Sequence, residues 1–348
     1  SEELFKLAAI YAHSVADFLL EARPTEEMVL DVMFRAGGDP GRPETRIAVQ
    51  RFMNRCREER GLEDLLELSR PVDARPSYRT EPPRNKGEAI RQGEQVADQE
   101  RNRLDLGALP VSGLPSLLEK QGVCIGPIIP EDGAQIDGFY FESDSLGACI
   151  AINPNNGEGS SFRDVFTAAH EYAHWLLKDR PVELLDLSVK TDDLLEVRAN
   201  AFAAAFLLPR NGLVEYFSNA GMLREGALSH LSQGDVVRAM DQFGVSRQAL
   251  LYRMQNLGLI SEPVRNALWH FSIAETAKAL EITFGGRGFI GTRLPMLAVH
   301  AWRQGLVSTA RAASLCEKSV EEYRTFVQEI GEEQNPVTAA PLIGAAAG

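Results

Sequence analysis

Three shortages narrow the reading of this chain before any motif is considered. The longest strongly apolar run, Ala201 to Leu208, falls far short of the roughly 20 residues that a helix needs to cross a bilayer, so no membrane contact is expected. Basic residues are in deficit, 36 Lys and Arg against 49 Asp and Glu. The resulting net charge of −13 argues against a protein devoted to coating nucleic acid, while leaving room for one local basic surface. Cysteine is scarce, and Cys56, Cys124, Cys149 and Cys316 show no C-x-x-C spacing and lie among apolar neighbours. They read as reduced thiols, and with no signal peptide visible a cytoplasmic location is expected.

Histidine is also sparse, which makes the grouping of two of the six informative. His170-Glu171-Tyr172-Ala173-His174 fits the pattern H-E-x-x-H. On a helix, residues four apart share a face, so His170 and His174 can present ring nitrogens to one ion. Glu171 lies one residue round, off that face but within reach of a water held there, the position of a general base in a zinc peptidase. Phe166, Ala168, Ala169, Tyr172, Ala173, Leu176 and Leu177 recur at helical spacing, which predicts a largely buried helix from about Arg163 to Lys178. Buried imidazoles without partners are costly, which favours a ligand role over an accident of composition.

A catalytic zinc site takes a third protein ligand and keeps one position open. Thr191 to Leu208 reads as a second apolar helix, capped by Thr191-Asp192-Asp193 and stopped by Pro209. Within it Glu196 is a lone acid among Leu194, Leu195, Val197 and Ala199, so it is the expected third ligand. Asn200, one turn on, is placed to orient Glu196 or a histidine. The plainer alternative for Glu196 is a salt bridge to Arg198 or another surface cation.

The run Phe166 to His174, the later Glu196-x-x-Ala199-Asn200-x-Phe202-Ala203 and the closing Leu207-Leu208-Pro209 resemble the ImmA/IrrE family of metallopeptidases. Gly138-Phe139-Tyr140-Phe141 and Ile150-Ala151-Ile152-Asn153 are similar to the paired strands that precede the active helix in that family. The resemblance covers roughly residues 87 to 262. It implies the same roles: His170, His174 and Glu196 as ligands of Zn2+, with Mn2+ as a second metal of the right class, and Glu171 as catalytic base. It also implies a protein substrate, an Xre-type helix-turn-helix repressor whose cleavage switches on genes of a stress response or mobile element.

The expected architecture is α+β, a mainly helical zincin-like domain with a small sheet, flanked by helical regions. Residues 1–69 read as helices, and the first twenty resemble the last helices of an Xre-type DNA-binding domain whose earlier helices would precede Ser1. The alternative is a helical packing module or one that forms a homodimer. Residues 70–86, with four prolines, read as a linker, and 87–212 as the peptidase domain, with strands at Val123 to Ile128, Ile136 to Glu142 and Ala148 to Asn153. An edge strand beside the active helix would accept an extended peptide.

In 213–262, Gln233 to Met240, a turn at Asp241 to Val245 and Ser246 to Leu257 have the form of a helix-turn-helix. That leaves Arg247, Gln248, Tyr252 and Gln255 outward for DNA or a partner. Residues 263–333 read as a C-terminal regulatory or interaction domain, and 334–348 as a flexible tail. Arg163 is assigned either to orienting the site or to capping the helix. Tyr172 has no assigned direction, and His230, His270 and His300 are isolated. The rival to a peptidase is a non-catalytic, metal-binding, DNA-binding transcription regulator.

Overall fold

The structure, a computed structural model, describes residues 43–68, 76, 78–129, 136–154, 160–179, 194–224, 226–228, 230–284 and 292–330. The first forty-two residues, with their Xre-like stretch, lie outside it. So do the Thr191-Asp192-Asp193 cap, the glycine-rich turn at 285–288 and the tail.

Most of the chain is helical. In order come α1 (Pro43–Leu65), α2 (Lys86–Arg103) and α3 (Leu114–Lys120), then strands β1 (Cys124–Pro127), β2 (Gly138–Ser143) and β3 (Gly147–Ile152). The two site helices follow, α4 (Ser160–Leu177) and α5 (Leu194–Leu207), and then α6 (Arg210–Asn219). A two-stranded ribbon, β4 (Leu223–Arg224) and β5 (Ala227–Leu228), precedes α7 (Gln233–Phe243) and α8 (Arg247–Asn256). The chain ends with α9 (Glu262–Ala267), α10 (Ile273–Ala279), α11 (Arg293–Arg303), α12 (Thr309–Leu315) and α13 (Val320–Ile330). No helix among the described residues is long and apolar enough to cross a membrane. The ribbon falls where the sequence predicted only helices, because two residues per strand carry no periodicity to read.

The sheet order is β1-β3-β2, with β1 parallel and β2 antiparallel to β3. Both faces of β3 are covered, which is why Ala148 to Ile152 read as an unbroken apolar run. Ala148, Ile150 and Ile152 face α4 and α5 together with Ile125 and Tyr140. Cys149 and Ala151 face the other way, with Phe139 and Phe141, onto Val49, Phe52, Met53 and Cys56 of α1. So α1 shares a core with the sheet, across the stretch that reads as a linker. Tyr78 in that stretch donates to Glu100 on α2 at 2.5 Å, and Arg198 reaches Thr80 at 3.2 Å.

The helix α5 carries Ala199, Phe202, Ala203 and Phe206 on its buried side, and it lies directly on α2. The approach is possible only at a glycine: a Cβ on Gly93 would sit 2.3 Å from the Arg198 carbonyl oxygen and 2.8 Å from the Phe202 nitrogen. At its C-terminus two buried arginines bond the free carbonyls. Arg101 donates to Phe206 O, and Arg253 to Leu208 O at 3.2 Å. Gly138 plays a like part in β2, where a Cβ would meet Thr167 of α4 at 2.8 Å. The first contact seats α5 on α2, and the second seats β2 on α4.

The helix pair α7 and α8 has the expected turn, with Gly244 left-handed at φ 65° and Ser246 capping α8. Leu250, Leu251 and Met254 are buried in the same core as α4 and α5, and Leu257 packs at its edge. Arg247 donates to the Phe271 carbonyl at 2.8 Å with its guanidinium over the Phe271 ring. Tyr252 meets Trp269 edge to face and lies under Arg265. Both side chains are therefore engaged by the segment that follows, whereas Gln248 is exposed.

Candidate metal centre

His170 and His174 lie on the inner face of α4, with their Nε2 atoms 3.0 Å apart. Glu196 enters from the first turn of α5. Its Oε2 stands 3.1 Å from His170 Nε2, and its Oε1 stands 3.3 Å from His174 Nε2. Bonds of 2.0–2.1 Å at tetrahedral angles require donor separations of about 3.3 Å, so the three groups are spaced for one Zn2+-sized ion. His174 is sealed at 1% exposure, but Glu196 keeps 27% and His170 14%, so one side of the cluster opens to solvent.

The remaining ring nitrogens are occupied, which decides where the Nε2 lone pairs point. His170 Nδ1 stands 3.1 Å from Asn200 Oδ1, and His174 Nδ1 is 3.0 Å from Asp179 Oδ2. With Nδ1–H donating to an oxygen, each Nε2 is left free to ligate. Asn200 thus serves a histidine, one of the two roles its spacing offered. Asp179 was not identified from the sequence. It follows Lys178, which ends α4 at φ 57°, so that Lys178 N bonds Trp175 O and Asp179 N bonds His174 O. The turn carries the Asp179 carboxylate back over the helix end. An acid five residues after the second histidine was the only available signal, and it needs this turn to acquire meaning.

Arg198 does not pair with Glu196. Its buried guanidinium grips Asp179 Oδ1 and reaches Gln92 Oε1 at 3.2 Å, tying α5 to the carboxylate that orients His174. Arg163 holds both carboxylate oxygens of Asp137 at 2.6 and 2.7 Å, fastening the first turn of α4 to the residue before β2. Tyr172 points away from the cluster, fully buried, and donates to Glu100 on α2.

Electrostatics in the cluster follow from burial and close opposite charges. Burial opposes charge on the His174 imidazole, yet Asp179 and Glu196 outweigh it and push its pKa up to about 10. Burial also opposes charge on Glu196, but the two histidines hold its carboxyl well below the usual range. Glu171 is different. Burial raises its pKa, the histidines moderate the rise, and the Tyr140 backbone N–H donates to the carboxylate.

That last bond locates Glu171 against the sheet. Asn153 N bonds Asp137 O, so odd-numbered residues of β2 direct their main-chain groups at β3. The groups of Tyr140 face outward, along the edge beside α4. Glu171 therefore sits between the imidazoles behind it and a strand edge in front.

Residues 127–255 match the family model described as IrrE N-terminal-like domain, Peptidase_M78. The matched stretch includes β2, β3, both site helices and the α7–α8 pair. No curated protein matches the chain.

Proposed function

Since residues 127–255 match the IrrE N-terminal-like family model, which supports a metal-dependent peptidase of the ImmA/IrrE type, we propose that this chain hydrolyses a peptide bond in a folded protein partner through His170, Glu171, His174 and Glu196. The observation that carries the reading is the convergence of two Nε2 atoms and one carboxylate at 3.0–3.3 Å with a buried, proton-accepting glutamate alongside. A divalent ion held by His170, His174 and Glu196, zinc or manganese by its donor set, supplies Lewis acidity toward the scissile carbonyl and lowers the pKa of water.

The chain's own groups do the rest. Asp179 and Asn200 fix the two imidazoles, which keeps the donor atoms preorganised. Glu171, with its affinity for a proton raised by burial, takes one from the attacking water and returns it to the leaving amine. The outward main-chain groups of Gly138 and Glu142, on either side of the Tyr140 N–H that Glu171 takes, suit an extended peptide added as a further strand. The substrate we infer is a helix-turn-helix repressor of the Xre type, cut at one exposed segment. That reading rests on the resemblance of the motifs rather than on any distance.

The test is Glu171→Gln against the parent, each assayed for bound zinc and manganese and for cleavage of a co-expressed repressor. Retained metal with kcat reduced by about 10²-fold or more supports a general base at this position. Unchanged cleavage sinks it. Unchanged repressor or DNA binding with no cleavage in either protein would favour a non-catalytic regulator.

A further inference from the structure

Three of the four cysteines, unrelated in spacing, meet on the face of the sheet opposite the peptidase cluster. Cys124 on β1 and Cys149 on β3 are register partners, and Cys56 reaches them from α1. Their sulfur atoms all lie within 4.8 Å of one another, each residue is at most 2% exposed, and all are free thiols. By themselves three buried thiols are small apolar packing groups. A fourth residue argues otherwise. Glu59 lies one turn beyond Cys56 on α1, is 1% exposed, and has no hydrogen-bond partner on either carboxylate oxygen. Arg293 Nε stands 3.8 Å from its Oε1, beyond hydrogen-bond reach, and the Cys124 thiol is a polar neighbour. With only a loose ion pair to Arg293 and the Cys124 thiol beside it, this buried carboxyl is poorly compensated, and a cation at the sulfurs would improve its setting.

We propose that Cys56, Cys124 and Cys149, with the Glu59 carboxyl buried beside Cys124, form a second, thiolate-rich metal site that takes a thiophilic divalent cation of the zinc class. The donors are of the structural kind, three sulfurs with a carboxyl alongside, and soft sulfur selects against magnesium or calcium. Burial pushes the Cys56 and Cys149 thiols well above their ordinary range and Glu59 up to about 7, so these groups hold protons until a cation displaces them. On binding, the S–H protons leave to solvent as metal–sulfur bonds form. Arg60, buried, paired with Glu63 at 2.8 Å and bonded to the Gly122 and Leu146 carbonyls at 2.8 and 2.7 Å, lies close to Cys149 and offsets part of the negative charge. The site would staple α1 to β1 and β3. It is independent of the peptidase reading, because none of its ligands belongs to that cluster.

Cobalt distinguishes the two sites, since only thiolate ligands give an intense sulfur-to-cobalt charge-transfer band in the near ultraviolet. The full chain, purified reduced and loaded with Co2+, is expected to bind two equivalents and to show that band. The His170→Ala/His174→Ala variant should bind one equivalent and keep the band. Cys124→Ser and Glu59→Gln should weaken or abolish it while leaving the other equivalent in place. A parent protein that binds cobalt once and shows no thiolate band overturns the proposal, and this outcome needs no variant to fold. So does an intact mass two hydrogens light with Cys124 linked to Cys149, because that pair would then be a disulfide.

Discussion

His174 Nδ1 lies 3.0 Å from Oδ2 of Asp179, five residues on and past the end of the helix that carries the imidazole. The left-handed turn at Lys178 makes this possible, and the same carboxylate is held from α5 by Arg198. Asp179→Asn is expected to weaken metal binding by about 10–100-fold without altering the far-ultraviolet circular dichroism. Chelator competition measures it. Asp179→Ala should also destabilise the fold by about 3–5 kcal/mol, since Arg198 is left buried without its charge partner. Wild-type affinity in both variants would show that the contact is incidental.

Tyr172 lies next to Glu171 in sequence but bonds Glu100 on the far side of α4. Tyr172→Phe is therefore predicted to leave kcat unchanged and to cost about 1–2 kcal/mol of stability, because Glu100 keeps Arg103 and Tyr78 as partners. A large loss of kcat at unchanged stability would place the hydroxyl in the reaction after all.

Gly93 is where α2 and α5 touch, and α5 carries Glu196 and Asn200. Gly93→Ala forces a Cβ to within 2.3 Å of the Arg198 carbonyl oxygen, so the helices must separate. The expected cost is about 2–4 kcal/mol by chemical denaturation, with weakened metal binding. A control substitution at exposed Gly87, where a Cβ meets nothing nearer than 3.4 Å, should do neither.

Asp164, on the first turns of α4, is 4% exposed, and burial pushes its pKa up to about 6 from 3.8, with Asp137 adding to the rise. The folded state therefore binds more protons than the unfolded one between those values, and stability contributed by the neutral acid is lost as pH rises from about 4 to 6. Asp164→Asn should match the parent near pH 3.5 and exceed it at pH 7, by up to about 3 kcal/mol. Parallel stability curves for parent and variant would refute the assignment.

The parts of this molecule that could be read from the chain are those decided within a turn or two of helix. His170, Glu171 and His174 are related by helix geometry alone, and Glu196 stands out because an acid among leucines and alanines is conspicuous wherever the helix packs. Asn200 follows from Glu196 by the same spacing. Asp179 was not legible, because its role depends on a lysine adopting a left-handed conformation at the helix end. The sulfur cluster was less legible still. It requires the pairing of Cys124 with Cys149 and the docking of α1 across the sheet, neither of which leaves a local pattern. Arg247 and Tyr252 read as outward on α8; the later segment engages both through Phe271 and Trp269, though Tyr252 stays exposed.

Glu171 also has a consequence for solubility. β2 is an edge strand bearing Phe139, Tyr140 and Phe141, a composition inclined to recruit a strand from another chain, and the Tyr140 N–H on that edge is occupied by the Glu171 carboxylate. Glu171 thus closes one donor of that edge. An inactive form meant to capture substrate should carry Gln at this position, whose amide oxygen still accepts from Tyr140. Ala would leave the donor bare and turn an enzyme trap into a seed for self-association.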